Sequence, residues 1–232
     1  MSLPRVAVHA VLFDLFNTLI PGGGPAERDA VSHAMARDLG VDPEEFARVY
    51  VSTYDERARG ALGDLAETVG ALARRLGAAP HDEQVAAAVG RRLDFTLSLH
   101  GGTWAVPALR RLRDAGYRIG LVSDCTAETP VLWEQSPLAA YVEVTSFSCV
   151  TGVRKPAAEA YLTAAEALGV SPGECVFVGD GGSRELTGAT ELGMRAVHYR
   201  PAEAPSGVID GEEWEGESVA DLADLVDLLR SA

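Results

Sequence analysis

The sequence predicts an α/β protein: a doubly wound parallel sheet whose first strand is separated from the others by an inserted block of helices. Three observations carry this. A valine-rich run near the start, VAVHAVLF at 6–13, ends in Asp14 and is followed by the glycine stretch PGGGP at 21–25. Residues from about 26 to 99 carry apolar side chains at helical spacing and no strand pattern. From about 103 onward strand-like and helix-like segments alternate, which predicts parallel strands covered by helices on both faces.

The elements follow in order. The 6–13 run is apolar without alternation, as a strand buried on both faces requires. Helices are expected near 26–39, 43–59, 62–76 and 82–98, punctuated by Gly40, Gly60, Gly77 and Pro80. Asp42 is expected to cap the second, and His81 or Asp82 to open the fourth. The stretch VPALRRLRDAG puts Val106, Leu109 and Leu112 on one face and stops at Gly116. YRIGLVS reads as a strand, followed by a short helix near 128–136 and the strand YVEVTSFS. A helix over 157–168, the strand ECVFVG, a helix over about 183–192 and the strand RAVHY come next. Residues 201–217 read as a loop, and Ser218 as the cap of a final amphipathic helix carrying Leu222, Leu225, Val226 and Leu229.

Composition excludes several classes. A hydrophobic fraction of 47% over 232 residues is enough for a sizeable core, and no apolar run approaches the roughly twenty residues that span a bilayer. The formal net charge of −14 disfavours nucleic acid and anionic membrane as partners. The first residues run straight into a strand pattern without a cleavage site, so a cytoplasmic protein is expected, as a monomer or homodimer. Cys125, Cys149 and Cys175 have no metal-like spacing and read as reduced packing residues. Trp104, Trp133 and Trp214 likewise read as packing residues, and of the histidines only His100, at the end of the helical block, lies near a junction.

Ligands of such sheets bind at the carboxyl ends of the strands. There the sequence places Asp14, Asn17 and Thr18 after the first strand and Ser123 and Asp124 after the second. Lys155 follows the third strand, and Asp180 and Glu185 follow the fourth. Lys155 is the one lysine among twenty basic residues. A compact ammonium on a flexible stem can reach a carboxylate and an anionic substrate together, which arginine's planar fork does less freely. Arg154 beside it reads as a surface charge.

These four stretches, DLFNT, SDC, the RKP loop and GDGGSRE, resemble in order the four motifs of the haloacid dehalogenase superfamily. The resemblance implies a Rossmann-like core over 1–20 and 100–232 with a helical cap over 21–99. It implies Asp14 as nucleophile with Ser123 and Lys155 in the catalytic set, and Asn17, Thr18 and Asp124 about the substrate. It further implies magnesium held by the positions Asp14, Phe16, Asp180 and Glu185. Glu185 would either ligate the ion or stand behind the ligands, against the alternative of a solvent-facing residue in a first helical turn. Cap closure would exclude water, with the glycines at 22–24 and 101–102 as hinges or as plain loop residues.

One position departs from the pattern. Phosphatases of this superfamily carry a second aspartate two residues after the nucleophile, where this chain has Phe16. That acid and base contributes roughly a hundredfold to ten-thousandfold. The leading expectation is a magnesium-dependent phosphatase of a small phosphorylated metabolite with a good leaving group, with Asp124 or a cap residue as a substitute acid. The alternative is a 2-haloacid dehalogenase, which needs no leaving-group acid and would use a cap arginine such as Arg28, Arg37 or Arg48 for the substrate carboxylate. A non-catalytic binding or regulatory protein on the same fold is the third reading.

Overall fold

The computed structural model describes residues 7–202 and 211–231. Its centre is a six-stranded, wholly parallel sheet in the order β3-β2-β1-β4-β5-β6. The strands are β1 (Ala10–Phe13), β2 (Arg118–Ser123), β3 (Val144–Phe147), β4 (Cys175–Gly179), β5 (Arg195–Tyr199) and β6 (Glu217–Val219). β1 pairs with β2 on one side and β4 on the other, so Phe13 lies level with both Leu121 and Val178. The chain runs from β1 out to β2 and β3 and then crosses back to β4 on the other side of β1. The carboxyl ends of β1, β2 and β4 therefore lie together where the strand order reverses, the place where such sheets form a ligand-binding crevice.

Helices cover both faces. Leu109 and Leu112 of α6 (Val106–Asp114) and Leu225 and Leu229 of α11 (Leu225–Arg230) share one core with Val11 and Phe13. On the opposite face, α9 (Ala158–Ala167) and α10 (Glu185–Glu191) join Leu12 and Phe177, with Tyr161 edge-on to Phe177 at 5.3 Å between centroids. The short α7 (Glu128–Leu132) and α8 (Ser148–Thr151) follow β2 and β3.

Between β1 and α6 lie five helices: α1 (Pro25–Leu39), α2 (Pro43–Ser52), α3 (Tyr54–Ala58), α4 (Leu65–Arg75) and α5 (Asp82–Gly101). They enclose an apolar cluster of their own, including Met35, Phe46, Val69 and Leu72. Asp42 caps α2 by accepting from the Glu45 N–H at 2.9 Å, and Asp64 and Glu67 cap α4 reciprocally.

Several expectations need correction. β1 begins only at Ala10, and residues 1–6 lie outside the described residues. The expected 43–59 helix is two, because the chain turns at Thr53, whose hydroxyl bonds back to the Val49 carbonyl at 2.8 Å. α5 continues past 98 to Gly101, so Gly101 belongs to a helix and only Gly102 ends it. Ser218 is not a cap but part of β6; Asp221 accepts from the Ala223 N–H and starts the last helical turns. Of the expected 201–217 loop, residues 203–210 lie outside the described residues.

Candidate active site

Asp14 is the first residue beyond β1, and its backbone N–H still donates to Val178 of β4 at 2.9 Å. That bond fixes the carboxylate at the centre of the crevice. Thr18 donates its hydroxyl to Asp14 Oδ2 at 3.2 Å. Lys155 reaches over from the loop after β3, and its Nζ donates to Asp14 Oδ1 and to Glu185 Oε2. All three side chains are buried.

Glu185 belongs inside because of a neighbour's missing side chain. A Cβ on Gly179 would sit 2.0 Å from Glu185 Oε1. The solvent-facing alternative for Glu185 is therefore wrong: the residue is 1% exposed, and its Oε1 accepts from the Gly181 N–H at 3.0 Å. Asp180 completes the group, its Oδ1 accepting from the Gly182 N–H at 3.0 Å. Ligand atoms of Asp14, Asp180 and Glu185 lie within 4.8 Å of one another.

The electrostatics follow from this crowding. Burial, only partly opposed by Lys155 and reinforced by Asp180, pushes Asp14 up to about 6. Burial likewise drives Glu185 well above the usual carboxylate range. Burial would lower Lys155, but Asp14 and Glu185 outweigh it and hold the ammonium charged. Three carboxylates thus face one ammonium, a shortage of positive charge that suits a hard divalent cation with oxygen ligands. Phe16 has no side-chain donor and could add only its backbone carbonyl to such a site; the half-buried ring packs against the core.

The remaining expected residues divide. Ser123 is 1% exposed and its hydroxyl has no partner among the described residues, so it is free to meet a ligand. Asn17, in the left-handed region with φ 62°, accepts from the Gly22 N–H at 2.9 Å and fastens the turn after the nucleophile. Arg28 clamps the same turn through two bonds to the Gly22 carbonyl at 3.1 and 2.8 Å. Arg37 and Arg48 are exposed. Asp124 accepts from the Lys155 backbone N–H at 2.9 Å and from Arg154 Nε at 3.3 Å, so it positions the lysine loop and is poorly suited to be a proton donor. His100 lies buried, edge-on to Trp133, and burial lowers its pKa.

Arg154 is not a surface charge. It bridges Asp124 to Asp55 of α3, at 2.7 Å, and its guanidinium lies 4.9 Å from the Tyr54 ring centroid. Tyr54 in turn donates to the Asp124 carbonyl at 3.1 Å. Two further residues escaped the sequence reading. Glu128 of α7 forms a buried pair with Arg92 of α5, tying the helical block to the sheet at 2.5 Å. Glu212 accepts from the Leu186 N–H at 2.6 Å and from the Thr187 N–H and hydroxyl, capping α10 at its start. Its own N–H donates to the Gly181 carbonyl at 2.9 Å. Neither had a local sequence signal, because each partner is remote in the chain.

Comparison with known proteins agrees with the geometry. The family profile described as haloacid dehalogenase-like hydrolase matches residues 8–193. A glyceraldehyde 3-phosphate phosphatase of Methanopyrus kandleri is 30% identical, covering 94% of this chain and 97% of its own. A crystal structure of a 2-haloacid dehalogenase from Pseudomonas syringae superposes with TM-score 0.68 at 22% identity, covering 97% of this chain and 100% of its own. One of a phosphatase from Thermococcus onnurineus superposes at 0.66, also at 22% identity, covering 96% and 98%. Phosphatase and dehalogenase backbones are thus about equally near, and the fold alone does not choose between them.

Proposed function

The chain belongs to the haloacid dehalogenase-like hydrolases, and on that premise we propose that it is a magnesium-dependent phosphatase of small phosphorylated metabolites. The observation that carries this reading is the buried Asp14, Asp180 and Glu185 group with one lysine against it. Displacing a halide needs one carboxylate and no cation. A group of three carboxylates costs stability unless a cation enters, and phosphoryl transfer is the hydrolysis that uses one. The full-length match to a phosphatase supports the same choice.

Asp14 and Asp180 would hold magnesium, with Glu185 ligating it or orienting what the other two hold, and the family pattern would add the backbone carbonyl of Phe16. When bound, the ion supplies positive charge for the phosphoryl oxygens. The Asp14 carboxylate attacks phosphorus in line, and the ester P–O bond breaks as the aspartyl phosphate forms. Ser123 Oγ and Lys155 Nζ donate to the transferring group. Water then attacks the same phosphorus, releasing phosphate and restoring Asp14. Phe16 gives the leaving oxygen no proton, so esters whose alcohol departs readily as an anion are the favoured substrates.

We read 21–99 as the cap domain and 1–20 with 100–232 as the core. The cap contacts through Tyr54, Asp55 and Arg92 support its closing over the crevice. The expected cellular setting is the cytoplasm, as a monomer or homodimer with a small anionic substrate. No described helix is long and apolar enough to cross a membrane.

The test is one substrate panel with and without magnesium: aryl phosphate, acetyl phosphate, sugar and triose phosphates, and 2-chloropropionate, read for phosphate and halide together. Magnesium-dependent phosphate release, abolished in a folded Asp14→Asn variant, is the expected result. Turnover retained by that variant would remove Asp14 as nucleophile. Metal-independent halide release would establish the dehalogenase reading, which needs no acid at the Phe16 position. Silence on every substrate would favour a binding protein.

A further inference from the structure

The loop after β2 and the helix after β3 bring two thiols together beside the catalytic crevice. Cys125 follows Asp124 directly and is buried, while Cys149, in α8, is half-buried. Their sulfurs lie 3.9 Å apart. The two segments are already clasped: the Cys125 N–H donates to Ser148 Oγ at 3.0 Å, and that hydroxyl donates back to the Cys125 carbonyl at 3.2 Å. A disulfide needs about 2.05 Å between sulfurs, a closure of about 2 Å that side-chain rotation and a small shift of α8 can supply.

We propose that Cys125 and Cys149 form an oxidative modification site, a dithiol that hydroperoxides convert to a disulfide and that thereby disables the crevice. The pair is asymmetric in the way such chemistry requires. The hydrogen bond from Cys125 holds the more accessible Cys149 thiol below its ordinary range, whereas burial drives Cys125 well above it. The Cys149 thiolate attacks one peroxide oxygen; the O–O bond breaks, and the departing oxygen takes a proton and leaves as water or alcohol. Cys149 is then a sulfenic acid. The Cys125 sulfur attacks it, the S–O bond breaks, and the Cys125 proton leaves with the hydroxyl as water. Two sulfurs together lose two electrons, and the peroxide gains them.

The consequence reaches the site through Asp124. Its carboxylate holds the Lys155 backbone and Arg154, and its carbonyl holds Tyr54 of the helical block. The Cys149 carbonyl is packed against Gly60, where a Cβ would come within 2.2 Å. Drawing Cys125 toward Cys149 therefore moves the residue that sets Lys155 and the surface on which α3 rests. A displacement of about 1 Å can cost about a hundredfold in rate. Cys175 stands apart, at the start of β4 and at the opposite end of the strands, its thiol directed at the Ser171 carbonyl at 3.4 Å.

The experiment treats the reduced full chain with hydrogen peroxide after reductant is removed. Titratable thiols should fall from three to one. A non-reducing peptide map should show one cross-link, joining Cys125 and Cys149. Phosphatase activity should fall by about tenfold or more and return with dithiothreitol, and Cys149→Ser should be active and stay active after peroxide. Three thiols remaining, or a cross-link elsewhere, would overturn the site. A fully active cross-linked protein, or a Cys149→Ser variant inactivated at the wild-type rate, would overturn its coupling to the crevice. The activity arm rests on the phosphatase reading and the thiol count and peptide map do not, so a failure of one is distinguishable from a failure of the other.

Discussion

Phe16 is where the chemistry of this chain departs most from an ordinary phosphatase site. It sits two residues after Asp14, half-buried against the core and outside the ring of carboxylates. Placing a carboxyl there supplies a proton to the leaving oxygen without touching Asp14, Lys155 or Ser123. Phe16→Asp should raise kcat by about a hundredfold for alkyl phosphates and much less for aryl phosphates, whose leaving groups need no acid. Equal gains on both substrate types would show that the position does not act on the leaving group. The positions of Asp14, Ser123, Lys155 and Asp180 at one edge of the sheet were legible in the sequence because each ends or follows a strand in a fixed order. The burial of Glu185 was not, since it depends on the side chain that Gly179 lacks. Nor was the role of Arg154, whose partner Asp55 lies 99 residues away in the chain.

Between elements, charge pairs tie the inserted helices to the core at two points, beside the apolar contacts that Phe95 and Leu99 of α5 make with it. The Arg92–Glu128 pair is the buried one, with side chains 16% and 2% exposed. Burial alone would raise Glu128, but Arg92 overrides it and holds the carboxyl below its ordinary range. A depressed carboxyl pKa adds stability above the unfolded value of about 4.3, and that stability is lost as pH falls through the lower folded value. Arg92→Ala leaves Glu128 buried and unpaired, so it should cost about 3 kcal/mol in denaturant unfolding. Glu128→Gln should flatten the acid limb of the stability profile. At the other end of the crevice, Glu212 holds α10 by its first N–H groups, next to three residues in left-handed backbone: Gly181, Ser183 and Arg184. That strained turn carries Asp180 and Glu185 at its two ends, and releasing it would let them part. Glu212→Ala should therefore weaken magnesium activation by about tenfold to a hundredfold, read as a higher magnesium concentration for half-maximal rate, with the substrate KM little changed at saturating ion. The helical pattern of 26–99 was readable from spacing alone. The turn at Thr53, β6 and the Glu212 cap were not, because a hydroxyl back-bond, a three-residue edge strand and a long-range cap leave no periodic trace.

At the scale of the whole molecule, the crevice is a store of unfavourable charge in a protein already at −14. Asp14 is raised to about 6 by burial and by Asp180, against the opposing pull of Lys155. A raised carboxyl favours folding below its unfolded value, near 3.8, and that advantage disappears as pH climbs through about 6. Above that pH the folded protein carries an ionised, desolvated Asp14 which unfolding would relieve, so a bound cation has more to compensate there. Magnesium at about a hundred times its dissociation constant should stabilise the fold by about 2.7 kcal/mol. For a chain of this length that is a rise of roughly 5–11 °C in Tm. The rise should be larger at pH 7.5 than at about pH 5, where protons already occupy the carboxylates. Asp180→Asn should lose most of it while keeping or exceeding the wild-type Tm without metal, since removing one charge relieves the others. A magnesium shift that is the same at both pH values, or that survives Asp180→Asn intact, would place the ion somewhere other than between these carboxylates.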